Sequence, residues 1–212
     1  AKGDYNWDAE LFRLLPPVIA AKNNPELSAA LEQYLDRLPK PAICKSCAKS
    51  DADKYEIVPD YGSLLNSSVL QKSLGDKLKY IRDNRNIDKN YYVEMEQQVG
   101  NPKFKHEKAY STMAYPDAGY RLLSLYRYWG MINYFFPYRD IIGEDWNKVI
   151  ASALPDFVGA RDEKDYALAV LSLIARVHDT HANLWSGSTA LNQFKGKFAV
   201  PFQAKFIENA LT

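Results

Sequence analysis

Apolar residues recur at three- and four-residue spacing toward both ends of the chain and lose that rhythm in between. Leu11, Leu14, Leu15 and Val18 share one face of a predicted helix. Asn6 or Asp8 caps it, it runs to about Ala21, and Pro16 and Pro17 are expected to kink or end it. Asn24, followed by Pro25 and Glu26, reads as the N-cap of a second helix reaching about Leu38. Pro39–Asp60 is loop-like. Ser67 or Ser68 then opens a helix over Val69–Arg82, with Leu70, Leu74, Leu78 and Ile81 at helical spacing. Across Asn84–Tyr115 the pattern turns to short β-favouring patches, Tyr91–Val93 and Phe104–Tyr110, separated by a Gly100-Asn101-Pro102 turn. Asp117 caps a long aromatic helix, Gly119–Phe136. Further helices are predicted from Asp145 to about Val158, with Pro155 inside, and over Asp162–His178. The tail from Leu184 to Thr212 carries an alternating run at Phe198–Ala204 that predicts a strand.

The two ends repeat each other. WDAELFRLLP at Trp7–Pro16 and WNKVIASALP at Trp146–Pro155 align at one constant offset, which continues without a gap through the next helix. There Ala30 faces Ala169, Leu35 faces Ile174 and Arg37 faces Arg176. The aromatic helix precedes the second copy, and its counterpart in the first copy would lie ahead of Ala1. The expected fold class is mostly α: a duplicated helical-bundle module, its first copy truncated, with a small β or extended insertion and a C-terminal strand. The expected division is a first repeat at 1–38, an insertion with loop, one helix and short strands at 39–115, a second repeat at 116–183, and a linker or strand at 184–212. On this reading the chain is a piece of a longer protein. The missing helix then leaves an apolar patch on the first copy that pairs copies. Two copies at so long a period indicate duplication rather than a solenoid array.

With 212 residues and 47% hydrophobic content, the chain has enough apolar material for one sizeable core or two modest ones. Lys and Arg number 27 against 26 Asp and Glu, dispersed along the chain, so no long-range field draws nucleic acid or an anionic membrane. No apolar run approaches the roughly 20 residues of a membrane span. Cys44 and Cys47 form a single C-x-x-C in a Pro- and Lys-rich loop. A disulfide is the leading reading, with a pair of free thiols behind it. Half a zinc site needs two more ligands, and His106, His178 and His181 are the only histidines. A thioredoxin-type role needs a strand before the motif and a helix after it, and neither pattern is present. No metal and no cofactor are expected.

The aromatic helix invites a ligand-binding reading, but Leu122, Leu125, Tyr126, Trp129, Ile132, Asn133 and Phe136 follow the stripe of a core-facing helix. Arg121, Arg127 and Arg139 lie among tyrosines in a pattern that suggests stacking on bases, which the neutral charge balance disfavours. The densest group of titratable side chains is His178-Asp179-Thr180-His181. Apolar periodicity ends at Val177, placing His181 past the helix end. A cationic His178 at a helix C-terminus is the plain structural reading, which the residues alone favour. A loop histidine beside an acid is the alternative, a general base oriented by Asp179 or by backbone. No G-x-S-x-G accompanies it, and Trp185-Ser186-Gly187-Ser188 lacks the strand-to-helix context of a nucleophile turn. Phosphate-binding glycine loops and H-E-x-x-H are absent from the sequence.

The run Tyr126–Tyr138, then Asp145-Trp146, Leu154-Pro155, Leu171–Arg176 and Asp179-Thr180-His181, resembles the N-terminal helical region of tail-specific (C-terminal processing) serine peptidases. It is most similar to their tricorn-like and retinoid-binding-protein-like branch, of the Bacteroidetes type, and the likeness is most specific over Tyr120–Thr212. The resemblance implies a helical domain followed by a PDZ-like domain and an α/β domain with the serine nucleophile. It also implies a periplasmic or extracellular location, with a lipid anchor among the forms a parent takes, and polypeptide substrates. In that branch a histidine after the helical region serves the serine as general base, and His181 matches the Asp-x-His position. The chain itself would supply at most that base and would hydrolyse nothing alone. The competing expectation is a non-catalytic helical module binding a peptide, a protein or a glycan.

Overall fold

Most of the helices start at a short side chain that accepts from a backbone amide of the first turn. In the computed structural model, residues 4–45, 47, 61–85, 90–185, 187–198, 201, 205–207 and 210–211 are described. Asn6 accepts from the Ala9 amide and opens α1, Trp7–Ala20. Pro16 and Pro17 do not end it; the helix closes a further turn before its backbone goes extended at Ala21. The second helix, α2, spans Asn24–Arg37, and its cap is Asn23, one residue earlier than the sequence suggested. Asn23 Oδ1 accepts from the Glu26 amide, and Glu26 reaches back to the Asn23 side chain and the Lys22 amide, a reciprocal cap.

A short helix, α3, at Gly62–Leu65 precedes α4, Lys72–Asp83. Helix α4 begins later than its apolar spacing suggests, because 67–70 bends and the Gln71 amide is taken by Ser28 Oγ at 3.0 Å. Ser28, the buried residue of α2, is fully enclosed. The insertion then forms a hairpin: β1, Val93–Met95, pairs antiparallel with β2, Pro102–Phe104. The turn lies at Glu96–Gly100, with Gly100 at φ +71°, so Pro102 belongs to the strand. Lys105–Tyr110 leaves the ladder.

Asp117 accepts from the Tyr120 amide and starts the 18-residue helix α5, Ala118–Phe135. The chain divides into two compact units, 1–113 with 126–139 and 114–125 with 140–212, so the division falls inside α5. After a 3-10 turn at Arg139–Ile141 come α6, Trp146–Gly159, capped by Asp145, and α7, Glu163–Ala175, capped by Asp162. Pro155 sits inside α6 as Pro16 sits inside α1. The tail adds α8, Thr189–Lys195, which the sequence did not suggest, and a small pair, β3 Phe206–Ile207 with β4 Ala210–Leu211. The run Phe198–Ala204 lies largely outside the described residues.

The protein is thus mostly helical with small antiparallel β pairs, as its pattern predicts. Most of the fully buried apolar side chains lie in the second unit, including Leu125, Val149, Phe157 and Leu173. No helix among the described residues is long and apolar enough to cross a membrane.

Candidate functional site

Helix α7 ends because residues 176–178 turn back on it. The Arg176, Val177 and His178 amides bond to the Leu173, Ile174 and Ala175 carbonyls. His178 then takes a left-handed conformation at φ +55°, the position usually given to glycine after a helix. Val177 is 3% exposed and anchors this turn in the core. The chain reverses into a loop headed by Asp179, whose carboxylate accepts the His181 backbone amide at 2.8 Å. The same oxygen meets His181 Nδ1 at 2.9 Å.

The protonation of this pair follows from its electrostatics. The His181 amide, and then its ring, hold the Asp179 carboxyl below the usual carboxylate range, so it is ionised and only accepts. Nδ1 therefore carries the proton, and the lone pair of a neutral ring sits on Nε2. The His181 side chain is 91% exposed, and Nε2 has no hydrogen-bond partner among the described residues. The Trp185 indole donates to the His181 carbonyl at 3.2 Å, fixing the loop from its far side. Chemically, this is an oriented imidazole base open to solvent. Among the described residues no serine, threonine or cysteine bonds to it, and Ser186 lies outside them.

His178, three residues earlier, points to other work. Its Nε2 lies 3.9 Å from Glu144, whose carboxylate is gripped by Arg176 and held below its ordinary range mainly by that hydrogen bond. The two histidines therefore do not share a ligand set. Among the described residues no group of three or more His, Cys, Asp or Glu side chains converges for a metal.

The arginines among the tyrosines are engaged inside the chain. Arg121 is 5% exposed and donates to the carbonyls of Phe157, Val158 and Pro116 at 2.7, 2.8 and 2.6 Å. Arg127 holds Asp8 through both carboxylate oxygens at 2.8 Å and the Lys108 carbonyl at 2.9 Å. Arg139 bonds to Asn133. Burial on α5 also departs from a single stripe. Arg121, Leu123 and Leu125 are all buried while Leu122 and Tyr126 are half-buried, so the first half of α5 is covered on more than one side.

The first unit holds a second candidate that the sequence reading missed. Trp7, Tyr34, Leu38, Pro41, Leu78 and Ile81 line a groove of about 720 Å³, within the size range of small-ligand sites. Its polar rim is already paired: Lys77 with Asp36 at 2.7 Å, Ser73 with Glu32, and Tyr80 with the Pro41 carbonyl at 3.0 Å. The Lys40 ammonium lies 4.5 Å over the Tyr80 ring. The surface left open is aromatic and aliphatic. Downstream of Pro41, Cys44 and Cys47 are joined as a disulfide, the leading reading of the motif. The Cys44 amide donates to Asn84 and the Arg85 guanidinium to the Cys47 carbonyl, so the loop is tied to the end of α4. Nothing in the sequence pointed to this groove, because its walls come from three separate segments.

No family model, curated protein or solved structure matches the chain. The site's own geometry and the order of its motifs carry the functional reading.

Proposed function

We propose that this chain is the N-terminal helical accessory domain of a serine-type peptidase that cleaves polypeptides, and that His181 is the general base for a serine on another domain of the same polypeptide. The observation that carries this is the Asp179–His181 pair. An ionised acid on Nδ1 fixes the tautomer that leaves Nε2 free to accept a proton. In the reaction Nε2 takes the proton from the serine hydroxyl as its oxygen attacks the peptide carbonyl, then returns it to the leaving amine. The oxyanion hole and the nucleophile belong to the other domain. The resemblance implies a PDZ-like domain between the two, and the Cys44–Cys47 disulfide supports a periplasmic or extracellular setting.

The decisive experiment compares the full-length parent with its His181→Ala variant on an unfolded protein substrate. Loss of about 10³-fold or more in kcat/KM, with unchanged melting, is expected of a removed base. Unchanged activity sinks the assignment and leaves the histidine a helix-end residue. The chain alone offers a second readout. Nitrogen-15 NMR of His181 should show the Nδ1–H tautomer of the neutral ring, and Asp179→Asn should mix the tautomers.

A second reading, a non-catalytic binding module, has the first-unit groove in its favour. Quenching of Trp7 emission by an apolar peptide, weakened by Leu78→Ala in the groove wall, would support it.

A further inference from the structure

In the second repeat, helix α6 ends under a purpose-built cap. Arg121 donates to the carbonyls of Phe157 and Val158, and the Tyr115 hydroxyl donates to that of Ala160 at 2.8 Å. The guanidinium also lies 5.0 Å from the centre of the Tyr115 ring. One aromatic residue and one arginine at the start of a helix thus satisfy the last carbonyls of the neighbouring helix and meet the negative end of its dipole. Behind this cap Trp146, Val149, Ala153 and Phe157 are all buried.

The repeat register places Val18, Ile19 and Ala21 of the first copy opposite Phe157, Val158 and Ala160. There the Val18 carbonyl receives only the Ala21 amide at 3.3 Å, and no side chain among the described residues donates to these carbonyls. No basic residue stands in the last turn of α1, and no residue of α1 is buried. Ile19 is 74% exposed, and Trp7, the counterpart of the buried Trp146, is 38% exposed. The same helix hairpin is built twice and capped once.

We propose that the C-terminal end of α1 is a docking site for a helix of the α5 kind, contributed in cis by the polypeptide that carries this repeat. Its signature is a tyrosine six positions ahead of an arginine in the first turn of an apolar helix. The occupant is inferred from what fills the equivalent place in the other copy, and it is independent of the catalytic reading. It donates its guanidinium to the Val18 and Ile19 carbonyls and its tyrosine hydroxyl to that of Ala21, and lays its apolar face on Leu14 and Val18.

The test adds a synthetic peptide of Ala114–Tyr128 to the whole chain and follows the carbonyl carbon shifts at both helix ends by NMR. Saturable one-to-one binding that moves Val18, Ile19 and Ala21 is expected. The peptide with Arg121→Ala should bind at least about tenfold more weakly, the loss that removing a charged donor implies. No binding at about 1 mM peptide, or equal binding by the alanine peptide, overturns the proposal. Shifts at Phe157–Ala160 instead would mean that the peptide displaces the resident helix, which also overturns it. A chain that self-associates without peptide, with the same α1 carbonyls moved, would assign the surface to a second copy and overturn the occupant in cis.

Discussion

The two copies of the helix hairpin share their local design and differ in what surrounds it. Helices α1 and α6 both start at a tryptophan, run for 14 residues and carry a proline at the same place. Helices α2 and α7 both begin after an Asn or Asp that accepts from an amide three residues on, at 2.9 and 2.8 Å. Yet α6 buries four side chains and α1 buries none. The treatment of the outer helices also differs. In the second unit Arg121 takes backbone carbonyls at the end of α6, whereas in the first unit Arg127 takes the carboxylate of Asp8 in the first turn of α1. Local sequence sets where a helix begins, and the segments placed around it decide whether the helix becomes core.

The most direct way to break this contrast is to hollow out the two copies at equivalent positions. Phe157→Ala should cost about 4 kcal/mol, a large aromatic removed from a site 1% exposed. Val18→Ala, at the half-buried counterpart, should cost about 1 kcal/mol. Urea denaturation followed separately in each unit measures both, and equal costs would contradict the asymmetry. The arginines give the next largest difference. Arg121→Ala should cost about 3 kcal/mol, because it strands the terminal carbonyls of α6 inside the protein. Arg127→Ala should cost about 1 kcal/mol, since that pair remains partly open to solvent. Reducing Cys44–Cys47 should remove about 2 kcal/mol from the first unit only, the chain-entropy value for so short a loop. Faster hydrogen exchange at Pro41–Cys44 and at the end of α4 after reduction is the expected pattern, and faster exchange in α6 would contradict it.

How much of this was legible depended on whether the cause was local. The helix starts at Asn6, Asp117, Asp145 and Asp162 were legible because each of these side chains acts on an amide two or three residues away. So were the position of His181 past its helix end and the short strands of the insertion, although their turn lies at Glu96–Gly100 rather than at Gly100–Pro102. Helix α8 escaped notice because it is a single seven-residue element with one buried side chain, Leu191, too short for a period to show. The start of α4 was misplaced because its limit is set by Ser28, far away in sequence. The role of Arg121 was not legible for the same reason: only the distant end of α6 explains its burial. At the candidate site the Asp-x-His spacing brought His181 forward, but its tautomer required the bond between Asp179 and the ring.

The smallest expected effect separates the two repeats by pH. Arg176 holds the Glu144 carboxyl below its ordinary value through a hydrogen bond first and its charge second. The counterpart of Glu144 in the first repeat, Tyr5, has no carboxylate to titrate in acid. A carboxyl depressed in the folded state contributes stability that is fully present above its unfolded pKa and is lost as pH falls through its folded one. The second unit should therefore lose this contribution below the ordinary glutamate range, by less than about 1 kcal/mol because the pair is partly open to solvent. Glu144→Gln removes the titrating group, so the acid limb of its stability curve should flatten relative to wild type in the second unit and stay unchanged in the first. If both units lost the same slope, the difference between the repeats would have to come from charges they share rather than from this pair.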